Sequence, residues 1–254
     1  MTARCTLDCA AFGVPFRLDA ESPKLLAAIR ECVPWGTAFL APSDRERADT
    51  ITAFTLPRAI LSSNHRAALD TLTRDLMTHV ADHAPHHVFV HAGVVASHGR
   101  ALLLPGATFA GKTTLVAELV RAGAVYYSDE YAVLDSTGLV HPYPRPLAMR
   151  APGGNEQSPT PVDQLGGITG AEPIPAALVV FTRYAEDASW QPEPVSPGMA
   201  ALEMLRHAIP VQRAPARVMA AFARMLQSAA AFQSPRGDAA TTAQLLLAML
   251  EARA

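Results

Sequence analysis

Eight consecutive residues, Gly106-Ala107-Thr108-Phe109-Ala110-Gly111-Lys112-Thr113, carry the spacing Gly-x-x-x-x-Gly-Lys-Thr, the pattern of a loop that wraps phosphate groups. Glycines let the backbone wind so that successive N–H groups point inward at phosphate oxygens, and the start of the following helix adds partial positive charge. Lys112 would bring a point charge to the β- and γ-phosphates, and the Thr113 hydroxyl would ligate the magnesium that bridges them, with Thr114 offering a further hydroxyl. Such a loop implies ATP and Mg2+ as ligands. Binding alone is not yet a reaction.

A second group of residues would supply one. Asp129 and Glu130 close the next extended run, where a doubly wound or related sheet turns residues toward its crevice. Two acids suit two tasks: holding magnesium, and accepting the proton of an attacking hydroxyl. Thr113 and Glu130 are the metal candidates. Other candidates are thinner. His79, His83, His86, His87 and His91 cluster in sequence, and His79 and His83 would share a helix face as zinc ligands do, but no Glu follows His79 as a His-Glu-x-x-His site requires. Arg145, Arg150 and Arg183 are available to stabilise phosphoryl charge, or to serve as ordinary surface arginines.

These residues need particular elements to position them. The apolar run Val88–Ala96, the polar Ser97-His-Gly-Arg100 and the run Ala101–Leu104 predict two strands joined by a tight turn, the second feeding the glycine loop. A short helix is expected from Thr113 to Ala122, stopped by Gly123. Val125–Tyr127 and Tyr131–Leu134 read as strands flanking the acid pair, with a turn at Asp135–Gly138 and another hairpin as the simplest account. Pro142–Pro175 reads as an extended loop and Ala176–Phe181 as a buried strand. Helices are expected over Met199–Ile209, Ala216–Phe232 and Thr241–Ala252. Upstream, the sequence predicts a strand over Ala11–Leu18, a helix from the cap Ser22-Pro23 to Arg30, a strand over Thr50–Leu56 and a helix over Arg66–His83. Two regions follow: residues 1–85 as a small N-terminal α/β lobe and 86–254 as a P-loop domain with C-terminal helices.

From Val88 to Leu134 the sequence resembles the HPr kinase/phosphorylase family and its smaller relatives, some of which act in peptide-modification clusters such as those for lasso peptides. His91-Ala-Gly-Val94 stands where that family carries a His-Gly-Val-like element before the P-loop, and Ser128-Asp129-Glu130 stands at its Asp-Asp element. The resemblance implies an α/β fold of the HPr kinase/phosphoenolpyruvate carboxykinase type, a mixed sheet flanked by helices. It also implies ATP-dependent phosphorylation of a serine on a peptide or protein, with Asp129 as general base, Lys112 and Thr113 on phosphate and magnesium, and His91 lining the site. The chain departs from the family in the bulky loop residue Phe109, and Pro146–Arg150 lacks the family's metal-binding Glu. Those departures keep a second reading open, a nucleotide-binding regulatory or assembly module with little or no catalysis.

The composition narrows the remaining classes. Of 254 residues half are hydrophobic and 17% charged, with a formal net charge of −2, so a large core is affordable and no polyanion-binding surface is written into the bulk. Nucleic acid and membrane are not expected partners; no apolar run approaches the roughly 20 residues of a membrane span. Cys5, Cys9 and Cys32 form no CxxC pair and fit reduced thiols, and the opening residues do not resemble a signal peptide, so a cytoplasmic location is expected. The apolar C-terminal helices suit a homo-oligomer surface or a monomeric core equally well.

Overall fold

The computed structural model describes residues 5–40, 52–55, 65–107, 110–150 and 157–253. The chain divides into two compact units, Met1–His87 and Val88–Ala254.

In the first unit, β1 (Cys5–Ala11) and β2 (Val14–Ala20) form an antiparallel hairpin, where the sequence suggested one strand over Ala11–Leu18. The break falls at Phe12 and Gly13, both at positive φ (49° and 80°), the backbone of a two-residue turn whose twist matches the flanking strands. Alternation of buried and part-exposed residues along β2 is the period-2 signature of one covered face. The short β3 (Ala38–Phe39) and β4 (Thr52–Thr55) complete a four-stranded sheet in the order β3-β1-β2-β4. Helix α1 (Pro23–Arg30) starts as its sequence dictates, with the Ser22 hydroxyl accepting from the Leu25 N–H and Pro23 in the first turn. Helix α2 (His65–His83) buries Leu72, Leu76, Met77 and Val80.

The second unit is built on a mixed sheet of eight strands. β5 (His87–Ser97) and β6 (Arg100–Pro105) pair antiparallel with Ser97 opposite Arg100, and His98 and Gly99 turn the corner at φ 49° and 72°. Then come α3 (Lys112–Arg121), β7 (Val125–Ser128), β8 (Tyr131–Asp135), β9 (Leu139–His141), the separate ribbon β10 (Leu147–Arg150) with β11 (Gln157–Thr160), β12 (Ile174–Tyr184), β13 (Glu193–Val195), α4 (Pro197–Leu205), α5 (Pro215–Met225), β14 (Ala230–Arg236) and α6 (Ala239–Glu251). The sheet order is β13-β14-β12-β6-β5-β8-β9, with β7 also on β5 and β9 returning to the start of β12. β12 and β14 run parallel to β6, whereas β5 is antiparallel to both β6 and β7. Thus β6, β7, β12 and β14 all point the same way.

Helices cover both faces. Val94 and Leu103 pack with Met204 of α4 and Phe222 of α5, while their neighbours Val95 and Leu102 pack with Leu115 of α3 and Leu246 of α6. A sheet covered twice needs apolar residues on both sides of each strand, which is why β5, β6 and β12 read as continuous apolar runs. Gly93 allows a close approach: a Cβ there would lie 2.5 Å from Cγ2 of Val116, so the helix behind the glycine loop rests directly on β5.

Two expectations change. The helix expected over Ala216–Phe232 ends at Met225, and Ala230–Arg236 is strand β14. An alanine-rich apolar run satisfies helix and buried strand equally, and tertiary pairing on β12 decides. Pro235 lies past the three residues that β13 pairs, opposite Arg183 on β12. The expected loop Pro142–Pro175 contains the β10–β11 ribbon. The expected strand over Thr50–Leu56 is described only for Thr52–Thr55, and residues 151–156 lie outside the described segments.

Candidate functional site

Carboxyl ends of parallel strands define a common edge, and the candidate residues gather there. β6 ends at Pro105 and passes into Gly106, which is buried and whose N–H donates to the His91 carbonyl at 3.2 Å. Gly111 precedes α3 with φ 81° and ψ 19°, a left-handed conformation that glycine adopts without a Cβ penalty. Lys112 folds back over the loop, its Nζ donating to the carbonyls of Gly106 (2.8 Å) and Ala107 (2.9 Å). Burial pulls its pKa down while Asp129 and Glu130 pull it up, with a net lowering. Ala107 and Thr114 are exposed, whereas Ala110 and Thr113 are half-buried. Thr108 and Phe109 lie outside the described residues.

β7 brings the acid pair to the same edge. β7 and β8 both lie along β5, and the run between them is interrupted at Asp129 and Glu130. Ser128, fully buried, fixes the break: its hydroxyl accepts from the N–H of Glu130 (3.2 Å) and of Tyr131 (3.0 Å). The Asp129 carboxylate has the Thr113 hydroxyl beside it. Its Oδ1 is buried with no hydrogen-bond partner. Burial pushes the Asp129 carboxyl up to about 7, against the opposing pull of the Thr113 hydroxyl and the Lys112 ammonium, and Glu130 adds a further upward push.

The other acid is more open. The Glu130 side chain is half exposed, and its Oε1 lies 3.8 Å from Nδ1 of His91. His91 comes from β5, whose antiparallel course places Ala92 opposite Pro105 and hence His91 level with the loop. Its ring rests 4.8 Å from that of Tyr131. Burial lowers its pKa, Glu130 raises it and Lys112 lowers it, leaving it below the ordinary histidine value, a shift toward the neutral ring.

Three residues at this edge have no signature in the sequence. His207, just past α4, accepts from the His91 N–H through its carbonyl (2.8 Å); its own ring is held below the usual range by burial, with Glu203 opposing and the charges of Lys112, His91 and Arg206 reinforcing. Arg236, at the end of β14 and 2% exposed, donates from Nη2 to the Gly111 carbonyl at 2.8 Å and from Nη1 to the Gly237 carbonyl at 3.1 Å. Tyr184 ends β12 beside it. Nothing but the pairing of β14 on β12 brings an arginine 125 positions downstream onto the loop glycine.

Of the other arginine candidates, Arg150 and Arg183 are exposed and Arg145 is half-buried. His79 and His83 stack, with ring centroids 4.2 Å apart on α2. Among the described residues no group of three or more His, Cys, Asp and Glu is placed to hold a metal ion. A magnesium ion does not need one, because it keeps waters and takes only one or two protein ligands beside substrate phosphates. The half-buried Thr113 hydroxyl and the exposed Glu130 carboxylate are hard-oxygen donors of the kind that fits such an ion. No helix among the described residues is long and apolar enough to cross a membrane. No family model matches the chain, and no curated protein sequence matches it either.

Proposed function

We propose that this chain is an ATP-dependent phosphotransferase with a P-loop core of the HPr kinase type, moving the γ-phosphoryl of ATP to a hydroxyl, a serine of a peptide or protein. One observation carries the reading: the Asp129 carboxylate, with an orphaned buried oxygen, sits on the Thr113 hydroxyl that opens the P-loop helix. A buried carboxylate oxygen left unsatisfied beside such a loop costs about 1–3 kcal/mol, a cost that serves no structural purpose there.

The residues divide the work. Main-chain N–H groups of Gly111, Lys112 and Thr113, at the start of α3, would receive the β- and γ-phosphates. Lys112 exchanges its two carbonyl acceptors, which are neutral, for charged phosphate oxygens, a stronger bond. Thr113 and Glu130 would hold Mg2+, which would supply charge neutralisation on the phosphates. The acceptor oxygen forms a bond to the γ-phosphorus as the bond from that phosphorus to the β,γ-bridging oxygen breaks, ADP departs, and the hydroxyl proton passes to Asp129. A carboxyl held near neutral pH is suited to that proton. His91, beside Glu130, offers a ring nitrogen on the acceptor side.

The test is phosphotransfer from labelled Mg-ATP to serine-containing peptides, with Asp129→Asn and Lys112→Ala as variants. Asp129→Asn should bind Mg-ATP yet transfer roughly 100- to 10,000-fold more slowly, the usual worth of a positioned base; Lys112→Ala should lose binding. Wild-type protein that binds Mg-ATP tightly and transfers to no hydroxyl would replace this reading with that of a nucleotide-binding module.

A further inference from the structure

A triphosphate lying along a loop has two ends, and the acid pair that follows β7 stands on one flank of this loop. Asp129, Glu130 and His91 stand on the β5/β7 side of β6, which sets the γ end there. On the opposite side β12 and β14, both parallel to β6, finish together at Tyr184 and Arg236, which are paired across the ladder. Resting on the kinase reading above, we infer that this second flank is the nucleoside site, with the Tyr184 ring stacking on the base.

Four observations meet at this point. Tyr184 is 55% exposed although it ends a strand whose middle is buried, so its ring is presented rather than packed. It adjoins the loop itself: a Cβ placed on Gly111 would lie 3.6 Å from the Tyr184 Cβ. The Arg236 guanidinium carbon stands 5.7 Å from the centre of the Tyr184 ring, within reach of a cation–π contact, and backs the ring while bonding the Gly111 carbonyl. Finally, the Nε of Arg236 and the Oγ1 of Thr182, two residues before Tyr184, are both buried without partners, and both residues line one recess with Gly111 and Lys112. The recess has room for about one ordered water, which would satisfy the unused donor and the unused hydroxyl behind the loop glycine and brace the end of β12 that presents Tyr184.

Stacking of a base on an aromatic ring is worth about 1–3 kcal/mol by alanine substitution, roughly a 5- to 150-fold change in Kd. Calorimetric titration of the full chain with Mg-ATP and with magnesium tripolyphosphate separates the two ends of the ligand. Tyr184→Ala should weaken Mg-ATP by that factor and leave tripolyphosphate unchanged, whereas Tyr184→Phe should keep both affinities. In the Ala variant the advantage of Mg-ATP over Mg-CTP, whose base has the smaller stacking face, should shrink. Equal Mg-ATP affinity in wild type and Tyr184→Ala would overturn the nucleoside site while leaving the phosphate loop intact. Parallel losses for ATP and tripolyphosphate would overturn it too, by reducing Tyr184 to a prop for the loop. Wild-type protein that binds neither ligand would bring down the phosphate loop, and the nucleoside site with it.

Discussion

Replacing Gly111 by alanine should damage the loop in two separable ways. The residue sits at φ 81°, and a side chain held in the left-handed region costs about 1–2 kcal/mol. The new Cβ would also lie 2.6 Å from Nη2 of Arg236, the atom that donates to the Gly111 carbonyl at 2.8 Å. Arg236 is 2% exposed and has no room to swing aside without breaking that bond, and a hydrogen bond to a charged group is worth about 1.5–3 kcal/mol. Gly111→Ala should therefore lose about 2.5–5 kcal/mol in urea unfolding of the full chain. Arg236→Gln alone should lose roughly the charged bond, about 1.5–3 kcal/mol. With the guanidinium gone the alanine meets no clash, so the double variant should lose only the strain and the bond once, and fall short of the sum of the singles by about 1.5–3 kcal/mol in the cycle. Strict additivity, or a Gly111→Ala loss under about 1 kcal/mol, would refute the idea that Arg236 clamps the loop glycine.

Two further outcomes are expected from the same unfolding assay. Gly93→Ala should cost about 1–3 kcal/mol by overpacking, because its Cβ would meet Val116 at 2.5 Å, and adding Val116→Ala should return part of the loss; a neutral Gly93→Ala would mean that α3 is free to shift off β5. Asp135 predicts the acid limb. Burial alone would raise its carboxyl, but the Thr137 hydroxyl, the His141 ring and the N–H groups of Thr137 and Leu139 hold it at about 2 against an ordinary 3.8. A carboxyl depressed by folding adds its stability fully above about pH 4 and loses it as pH falls toward 2, on the order of 2 kcal/mol. Asp135→Asn should remove that part of the pH dependence, and an unchanged acid-unfolding slope would show that the turn is not a determinant.

Local signals carried much of both units. The turn at His98 and Gly99, the end of α3 before Gly123 at φ 101°, the start of α1 at Ser22 and the buried run of β12 each depend on residues within a few positions of one another, so sequence order is enough to read them. Phe12-Gly13 shows the limit: a positive φ at Phe12 has no residue type announcing it, and the hairpin reads as one strand. Arg236 and His207 lay beyond reach for a different reason. Each meets the loop or its neighbour strand only because β14 pairs with β12, or because the chain after α4 crosses β5, and no spacing in the sequence encodes those meetings. The strand nature of Ala230–Arg236 was hidden for the same cause, since its alanines and Phe232 have no preference that outweighs a vacant place beside β12.

The break between β7 and β8 has a consequence for how far this chain can be altered. Strand on both sides anchors Asp129 and Glu130, and Ser128 ties the interruption to the amides that follow it. An added or deleted residue there cannot be absorbed locally; it would send the alternate carboxylate toward the loop and reverse the facing of every residue on one flank. The corner at His98 and Gly99, at the far end of the same ladder, has no such restriction, and longer connections, tags or reporter segments inserted there would leave the spacing between the acids and Lys112 intact.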